Sequence, residues 1–217
     1  MTLSEEDYLK AIYHLARDTT KEITTNAIAE RANTKASSVS DMLKKLAEKG
    51  LIHYKRYQGV TLTEKGKHHA AKIVRKHRLW EVFLVEKLNF SWDEVHEVAE
   101  QLEHIKSEKL IRELDAFLAY PKTDPHGDPI PDEQGNIQAF AKTLLSSCKT
   151  GEKGICIGVK DSSTRFLQYL DKLGISLGNE LQVIEKEPFD HSMTILNNTD
   201  KINISALAAH NIYVKKR

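Results

Sequence analysis

The residues best suited to chemistry lie close together near the middle of the chain. Residues 95–104 read Val-His-Glu-Val-Ala-Glu-Gln-Leu-Glu-His. On a helix, at about 100° per residue, the apolar side chains form one face, and four polar ones form a stripe beside it: His96, Glu100, Glu103 and His104. Carboxylates three residues apart repel each other, so this stripe is costly unless a cation lies between them. The spacing predicts a divalent-metal site.

A similar pair of residues precedes the stripe. His77 and Glu81 are four residues apart, on one face of a predicted helix. Any one of these six residues, taken alone, is more simply a surface carboxylate or a hydrogen-bonded histidine, but six on two neighbouring helices are hard to explain that way. Oxygen and imidazole donors without sulfur favour Mn²⁺ and Fe²⁺ over thiophilic ions, although Zn²⁺ or Co²⁺ would still bind in vitro.

The composition limits the classes of protein that carry such a site. A chain of 217 residues, 40% apolar and 29% charged, predicts two or three small domains. It has no apolar run of the roughly 18 residues that a membrane span needs, and its first residues are acidic and polar rather than a signal peptide, so we expect a cytoplasmic protein. Cys148 and Cys156 are too few for a disulfide scaffold or a cysteine-based zinc site.

Charge is distributed unevenly, although the formal net charge is only +1. Residues 1–80 contain 16 Lys and Arg against 9 Asp and Glu, whereas residues 81–217 contain 16 against 22. A basic N-terminal part suits a polyanion and an acidic remainder suits cations. Ordinary surface charge would explain the same numbers, so the sequence pattern has to decide.

The basic part has the pattern of a winged helix-turn-helix. A capping box formed by Ser4 and Asp7 predicts the start of a first helix, which continues to about Arg17. Further helices are predicted at residues 25–32 and 36–50, and residues 51–62 have the pattern of a hairpin with a basic tip. In such a motif the second helix of the helix-turn-helix enters the major groove.

Short polar and basic side chains on the predicted recognition helix and hairpin could contact bases and phosphates. These candidates are Lys35, Ser37, Ser38, Ser40, Asp41, Lys44, Lys45 and Arg56. Serines at such positions also serve as helix caps, and lysines often form a solvated face. The order of helix, turn, helix and basic hairpin favours DNA binding over these alternatives.

The rest of the chain predicts a helical middle part and a β-rich end. A capping box of Ser91 and Glu94 starts a helix to about Ser107, and residues 120–135, rich in Pro, Asp and Gly, predict an irregular loop. Glycine-separated alternating runs beyond residue 148 predict a small β-barrel with one helix near residues 163–173. The predicted fold class is mainly α with a small β part. The predicted domains are residues 1–72, 73–143 and 146–217.

These features together resemble the diphtheria-toxin repressor family of iron- and manganese-dependent transcriptional regulators, over essentially the whole chain. The motifs that carry the resemblance are Glu6-Asp7-Tyr8-Leu9, Lys76-His77-Arg78-Leu79, residues 95–104 and Pro125-His126-Gly127-Asp128-Pro129-Ile130-Pro131. The resemblance implies a homodimer whose subunit has an N-terminal winged helix, a helical dimerisation and metal-binding domain, and a C-terminal SH3-like domain of the FeoA type.

The resemblance also implies two sets of metal ligands. The first set is Asp7, Glu100, Glu103 and His104. Asp and Glu at its first two positions are typical of the manganese sensors. The second set is His77, Glu81 and His96, with Asp124, His126 and Asp161 as further candidates from the proline-rich loop and the barrel. The chain departs from the family pattern at Lys10, a glutamate in the short manganese regulators, and at Ser162 and Arg165, where iron repressors have barrel ligands.

We therefore predict a homodimeric repressor of metal-uptake genes that binds an operator in double-stranded DNA when Mn²⁺ or Fe²⁺ is bound, with no organic cofactor and no membrane contact. An ion held by Asp7, Glu100, Glu103 and His104 would tie the DNA-binding part to the dimerisation domain. One alternative is a di-metal carboxylate enzyme, which would need a second inward-facing Glu-x-x-His pair. Another is a winged-helix regulator of an organic ligand, which leaves the metal stripe unexplained.

Overall fold

The N-terminal part of the computed structural model is the predicted helix-turn-helix with its hairpin. The structure describes residues 1–18, 22–55, 59–138 and 141–216. Its first elements are α1 (Leu3–Asp18), α2 (Thr25–Arg31), α3 (Ala36–Glu48), β1 (Ile52–Tyr54) and β2 (Val60–Leu62). The side chains of Val39, Leu43 and Leu46, at helical spacing on α3, are buried in the core of this part. The opposite face of α3 is exposed.

The helix α1 begins earlier than the sequence predicted. The backbone N–H of Thr2 donates to Glu5 Oε2 at 2.9 Å, and the backbone N–H of Glu5 donates to Thr2 Oγ1 at 3.3 Å. This reciprocal capping box takes the place of the predicted one between Ser4 and Asp7. The Asp7 carboxylate therefore lies beyond the helix start and is available for another contact.

The half-buried imidazole of His14 on α1 makes the stability of this part depend on pH. Loss of solvation, together with the charges of the nearby guanidinium groups of Arg78 and Arg31, lowers the pKa of His14 to about 3. An unfolded chain binds a proton at His14 near pH 6.5, whereas the folded chain does not, so stability is complete above that pH and falls as the pH drops toward 3. The expected loss is about 1.4 kcal/mol for each pH unit.

Urea unfolding of the metal-free protein at pH 7 and pH 5 measures this loss. The variant His14→Gln, which is neutral throughout, is expected to lose about 2 kcal/mol less than the original chain between these two pH values. The same loss in both proteins would show that other groups cause the pH dependence.

Three further helices follow the hairpin: α4 (Glu64–Leu88), α5 (Val95–Leu102) and α6 (Glu108–Phe117). Gly66 lets α4 start close to the hairpin, because a Cβ at this position would lie 1.8 Å from the carbonyl oxygen of Leu51. One half of the predicted capping box before α5 forms, because the backbone N–H of Ser91 donates to Glu94 Oε2 at 3.1 Å; Ser91 Oγ also donates to this oxygen, at 2.7 Å. The helix ends sooner than predicted, so Glu103 and His104 lie in the turn after α5.

The C-terminal part is a six-stranded antiparallel sheet with two short helices. Its strands are β3 (Thr143–Leu144), β4 (Lys153–Val159), β5 (Glu180–Lys186), β6 (Met193–Asn197), β7 (Asp200–Ile204) and β8 (Ile212–Lys216). Their order in the sheet is β3-β8-β4-β5-β6-β7. The helix α7 (Thr164–Lys172) follows β4 and buries Leu167 and Leu170 in the core of the sheet, while α8 (Ala206–Ala209) precedes β8. The predicted fold class, mainly α with a small β part, is confirmed.

The described residues group into two compact units that do not follow chain order. The first comprises Met1–Trp80, Glu100–Glu113 and Ile130–Ile137. The second comprises Glu81–Ala99, Leu114–Pro129 and Gln138–Arg217. The three-domain division at residues 1–72, 73–143 and 146–217 stays a prediction. None of the helices in the described ranges combines the length and apolar character that a membrane span requires.

Candidate metal centre

The first group of candidate ligands joins α1 to the turn after α5. It consists of Asp7 together with the adjacent Glu103 and His104, and one ligand atom from each lies within 4.8 Å of the others. We call these three residues the Asp7 cluster. All three belong to the first compact unit. The structure thus brings together three of the four residues that the family resemblance assigns to the first metal site.

Two adjacent carboxylates of α1 hold the ring of His104. Glu6 Oε2 lies 2.8 Å from Nδ1, and Asp7 Oδ1 lies 3.0 Å from Nε2. A carboxylate on Nδ1 fixes the ring orientation and directs Nε2 toward Asp7, which is the usual arrangement behind a metal-binding histidine. Glu6 is not among the predicted ligands, because neighbouring residues of a helix point about 100° apart and the resemblance assigns only one acid of this helix to the site.

The carboxylate of Glu103 is fully buried, and among the described residues only one of its two oxygens has hydrogen-bond partners. Its Oε2 lies 2.7 Å from His77 Nδ1 and 2.7 Å from Lys10 Nζ. Its Oε1 has no hydrogen-bond partner within the described part of the chain. Burial opposes ionisation, but the hydrogen bond from His77 and the charge of Lys10 outweigh it, so the pKa of Glu103 lies below its usual value. One oxygen of this buried, ionised carboxylate is thus left without a hydrogen-bond partner among the described residues.

The ammonium group of Lys10 lies between two carboxylates of the predicted stripe. Its Nζ is 2.6 Å from Glu100 Oε1 and 2.7 Å from Glu103 Oε2. Glu100, the fourth predicted ligand of the first site, is therefore paired with a lysine in this structure. From the sequence, Lys10 is only a departure from the family pattern, because no local pattern predicts a contact across 90 residues.

The remaining member of the cluster, Asp7, is harder to ionise than a free aspartate. Burial raises the pKa of Asp7, and the charges of Glu103 and Glu100 oppose its ionisation further, although His104 and Lys10 act in the other direction. Three carboxylates around a single lysine leave an excess of negative charge. A divalent cation near Asp7 would relieve this excess.

A second group of candidate ligands lies in the second compact unit. It consists of Glu81 on α4 with Asp124 and His126 from the proline-rich loop, all three buried, and their ligand atoms lie within 4.8 Å of one another. We call these residues the His126 cluster. Asp124 Oδ1 accepts the backbone N–H groups of His126 and Asp128, both at 2.9 Å, which shapes the loop.

In the ring of His126, one nitrogen makes a hydrogen bond to a backbone carbonyl and the other faces a carboxylate. Its Nε2 donates to the carbonyl oxygen of Trp92 at 2.7 Å, and its Nδ1 lies 3.7 Å from Glu81 Oε2. Burial opposes protonation, but the hydrogen bond and charge of Glu81 outweigh it and raise the pKa of His126 to about 9. The three residues therefore offer two carboxylates and one imidazole nitrogen in a buried site.

The other predicted ligands of the second site are not members of the His126 cluster. His96 is exposed, with Nδ1 3.6 Å from Glu81 Oε1 at the edge of the His126 cluster. His77 contacts Glu103 beside the Asp7 cluster instead. Asp161 follows β4, where its Oδ1 accepts the backbone N–H of Ser163 at 2.8 Å. Of the predicted second set, the structure gathers Glu81, Asp124 and His126, with His96 beside them.

Known proteins resemble this chain along its whole length. The model of the iron dependent repressor N-terminal DNA binding domain matches residues 1–60, that of the iron dependent repressor metal binding and dimerisation domain matches residues 63–132, and that of the FeoA domain matches residues 143–216. An uncharacterised HTH-type transcriptional regulator of Methanocaldococcus jannaschii is 40% identical over 118 residues, which are 54% of this chain and 94% of that protein. The chain belongs to the iron-dependent repressor family.

Two further comparisons agree with this membership. The iron-dependent repressor IdeR of Mycobacterium tuberculosis is 37% identical over 126 residues, 58% of this chain and 54% of that protein. The solved structure of a manganese-dependent transcriptional repressor in complex with manganese superimposes with a TM-score of 0.87 at 36% identity, over 98% of this chain and all of that one. The members of the iron-dependent repressor family are metal-dependent, DNA-binding transcriptional repressors, so this chain is a repressor and not an enzyme.

Most of the residues predicted to contact DNA lie on α3 or directly before it. Its predicted contacts Lys35, Ser37, Ser38, Asp41, Lys44 and Lys45 are exposed. Ser40 is half-buried, and its Oγ donates to the carbonyl oxygen of Ala36 at 3.2 Å, which uses its hydrogen within the helix. Lys44 Nζ lies 3.1 Å from Asp41 Oδ1. Arg56, the predicted contact at the hairpin tip, lies outside the described residues.

Proposed function

We propose that the Asp7 cluster is the site at which Mn²⁺ or Fe²⁺ activates this repressor for binding to its operator. The observation that carries the proposal is Glu103 Oε1, a buried oxygen of an ionised carboxylate with no hydrogen-bond partner among the described residues. Glu103 is grouped with Asp7 and His104 as a possible ligand. Leaving such an oxygen unpaired is costly, and a divalent cation would pair it. The residues present therefore fit the metal that the family uses.

The donor set suits Mn²⁺ or Fe²⁺ as the physiological ion. Two carboxylates and one imidazole, with no sulfur, suit Mn²⁺ and Fe²⁺ and give no preference for thiophilic ions. The buried cysteines Cys148 and Cys156 lie elsewhere, in the C-terminal core. Zn²⁺ and Co²⁺ bind such sites more tightly than Mn²⁺ in vitro, so selection in the cell rests on availability as well as on the donor atoms.

The arrangement of the donors supports a coupling between metal and DNA. Asp7 lies on α1, which packs in the core that also holds the recognition helix α3, whereas Glu103 and His104 lie after α5. A bound ion supplies positive charge and directed bonds that hold α1 against this turn. In the homodimer that the family forms, this would fix the separation of the two recognition helices, and the ion acts by binding the DNA-competent arrangement better than the loose one.

The energy that such a switch requires is modest for an ion of this kind. Moving a two-state equilibrium from 1:99 to 99:1 takes about 5.5 kcal/mol of differential binding. One ion in the Asp7 cluster, or one there and one in the His126 cluster, could supply it. We assign the His126 cluster as the second metal site of the subunit, because it contains two carboxylates and a histidine with one nitrogen facing them, all buried.

Titration of operator binding with each metal tests the proposed function. At fixed salt, Mn²⁺ and, under anaerobic conditions, Fe²⁺ are expected to raise the affinity of the purified protein for an operator fragment, and a chelator should abolish the gain. Equilibrium dialysis should show stoichiometric Mn²⁺ binding. An affinity for DNA that is unchanged by metal, or no stoichiometric Mn²⁺ binding, would instead favour a regulator of an organic ligand.

The exposed face of α3 gives a prediction about DNA contacts. If Lys44 contacts a phosphate, Lys44→Ala should weaken binding to all sequences and lower the slope of log affinity against log salt by about one unit. Ser37→Ala should instead alter sequence preference, because Ser37 is near the start of the helix that enters the groove. Lys109→Ala, an exposed lysine on α6, is the matched control. An equal change in slope for Lys44→Ala and Lys109→Ala would contradict the proposed contact between this face of α3 and DNA.

A further inference from the structure

One residue in the segment between α4 and α5, Trp92, contacts both the His126 cluster and the C-terminal sheet domain. The backbone carbonyl oxygen of Trp92 accepts the hydrogen of His126 Nε2 at 2.7 Å. The indole Nε1 of Trp92 donates to both carboxylate oxygens of Asp171 on α7, at 3.0 and 3.1 Å. The two rings of Trp92 and His126 are nearly parallel, with an angle of 17° and a centroid distance of 6.4 Å. All these residues belong to the second compact unit.

The carbonyl of Trp92 decides which nitrogen of His126 can bind a metal. A carbonyl oxygen only accepts hydrogen bonds, so Nε2 must carry the hydrogen in this contact. The nitrogen that is left for coordination is Nδ1, and it faces Glu81 Oε2 at 3.7 Å. A backbone carbonyl behind a histidine is a common way to set its tautomer and ring orientation at metal sites.

The same segment is fastened to the C-terminal domain at several points. Besides the bond to Asp171, Asp93 Oδ2 accepts Gln168 Nε2 of α7 at 3.0 Å, and the indole of Trp92 packs against the core of the sheet. The loop that carries His126 is also fastened there, because Val159 of β4 donates its backbone N–H to the carbonyl oxygen of His126 at 3.0 Å. Both partners of the Trp92–His126 bond are thus anchored to this domain.

We propose that Trp92 is a positioning residue of the His126 cluster, and that through Asp171 it couples ion binding in this cluster to the docking of α7. This inference rests on the proposed second metal site. The C-terminal domain then contributes to metal binding by fixing the histidine rather than by supplying a ligand. Because coupling between two events is reciprocal, an ion in the cluster must also hold α7 more firmly in place.

Zn²⁺ binding in a His104→Ala background tests both halves of the proposal. The change His104→Ala disables the Asp7 cluster, so that Zn²⁺ binding at the His126 cluster can be measured. Binding is assigned to the His126 site if it is lost when His126→Ala is added to this background. The test variants are Asp171→Ala, which removes the acceptor of the indole, and Trp92→Phe, which keeps an aromatic ring but removes Nε1–H. Both are expected to weaken Zn²⁺ binding at the His126 site about 5-fold or more.

A second measurement follows α7 itself. In the His104→Ala protein, Zn²⁺ is expected to slow hydrogen exchange of the backbone amides of α7, and this protection should disappear in Asp171→Ala. The matched control is Glu152→Ala, which breaks a 2.7 Å ion pair with Lys216 on the same domain, away from Trp92. It should change neither Zn²⁺ affinity nor the protection of α7.

The possible results separate this inference from the proposed second site. No Zn²⁺ binding that depends on His126 would contradict the second metal site, and the inference with it. Normal His126-dependent binding in Asp171→Ala and Trp92→Phe, with no Zn²⁺-dependent protection of α7, would overturn the role of Trp92 while leaving the site intact. Equal weakening in Glu152→Ala would trace the effect to general loosening of the domain and would also overturn it.

Discussion

Replacing Asp7 by Asn is expected to abolish the metal-induced gain in operator affinity while leaving some metal binding to Glu103 and His104. The amide lacks the charge that Asp7, the member of the Asp7 cluster on α1, would give to a divalent ion, so the ion would no longer tie α1 to the turn after α5. If Asp7 were merely an acid favoured by the helix dipole, the change would cost about 0.3 to 1 kcal/mol of stability and would leave the metal response intact. The two explanations therefore predict different results.

Operator affinity with and without each metal, together with metal-binding isotherms, distinguishes them. The control Glu64→Gln changes an exposed acid in the first turn of α4 and should behave like the original protein. Asp7→Met should soften the donor set and shift the preference from Mn²⁺ toward Fe²⁺. If Asp7→Asn keeps the full gain in DNA affinity, the bridging mechanism is wrong, and the metal must act through the dimer interface.

Replacing Lys10 by Met is expected to make folding depend on metal. The Lys10 side chain is 12% exposed and its ammonium neutralises Glu103, which is fully buried. Removing one partner of a buried ion pair leaves an uncompensated charge and costs about 3 kcal/mol or more. In a protein of this size, such a loss lowers Tm by on the order of 10 °C. An added divalent ion would supply the missing positive charge and restore much of the loss.

Thermal unfolding of Lys10→Met with a chelator and with Mn²⁺ measures this dependence. The control Lys67→Met breaks an ion pair of similar length with Glu64, but both side chains are more than half exposed, so its effect should be small. The rise in Tm on adding Mn²⁺ should be larger in Lys10→Met than in the original chain. An equal rise in both would mean that the ammonium does not compensate the charge of Glu103.

The sequence was sufficient to predict the elements but not the cross-chain contacts of the site. The helix-turn-helix and the polar stripe ending in Glu103 and His104 follow from hydrophobic periodicity, which depends on local spacing. The contact of Glu6 with His104 and the position of Lys10 depend on how α1 packs against residues about 90 positions away, which no local pattern specifies. The short elements β3 and α8, with two and four residues, are too brief to produce a recognisable period.

The position of Lys10 has a consequence for how long an ion stays bound. Because the ammonium pairs with Glu100 Oε1 and Glu103 Oε2, the Asp7 cluster offers an ion one carboxylate each from Glu103 and Asp7 and the imidazole of His104. Mn²⁺ prefers about six oxygen or nitrogen neighbours, so the other positions would be filled by water. An ion held by few protein donors exchanges rapidly with the solution. Such a repressor would follow the current metal concentration of its surroundings rather than store the metal, and gene expression could be readjusted soon after the supply changes.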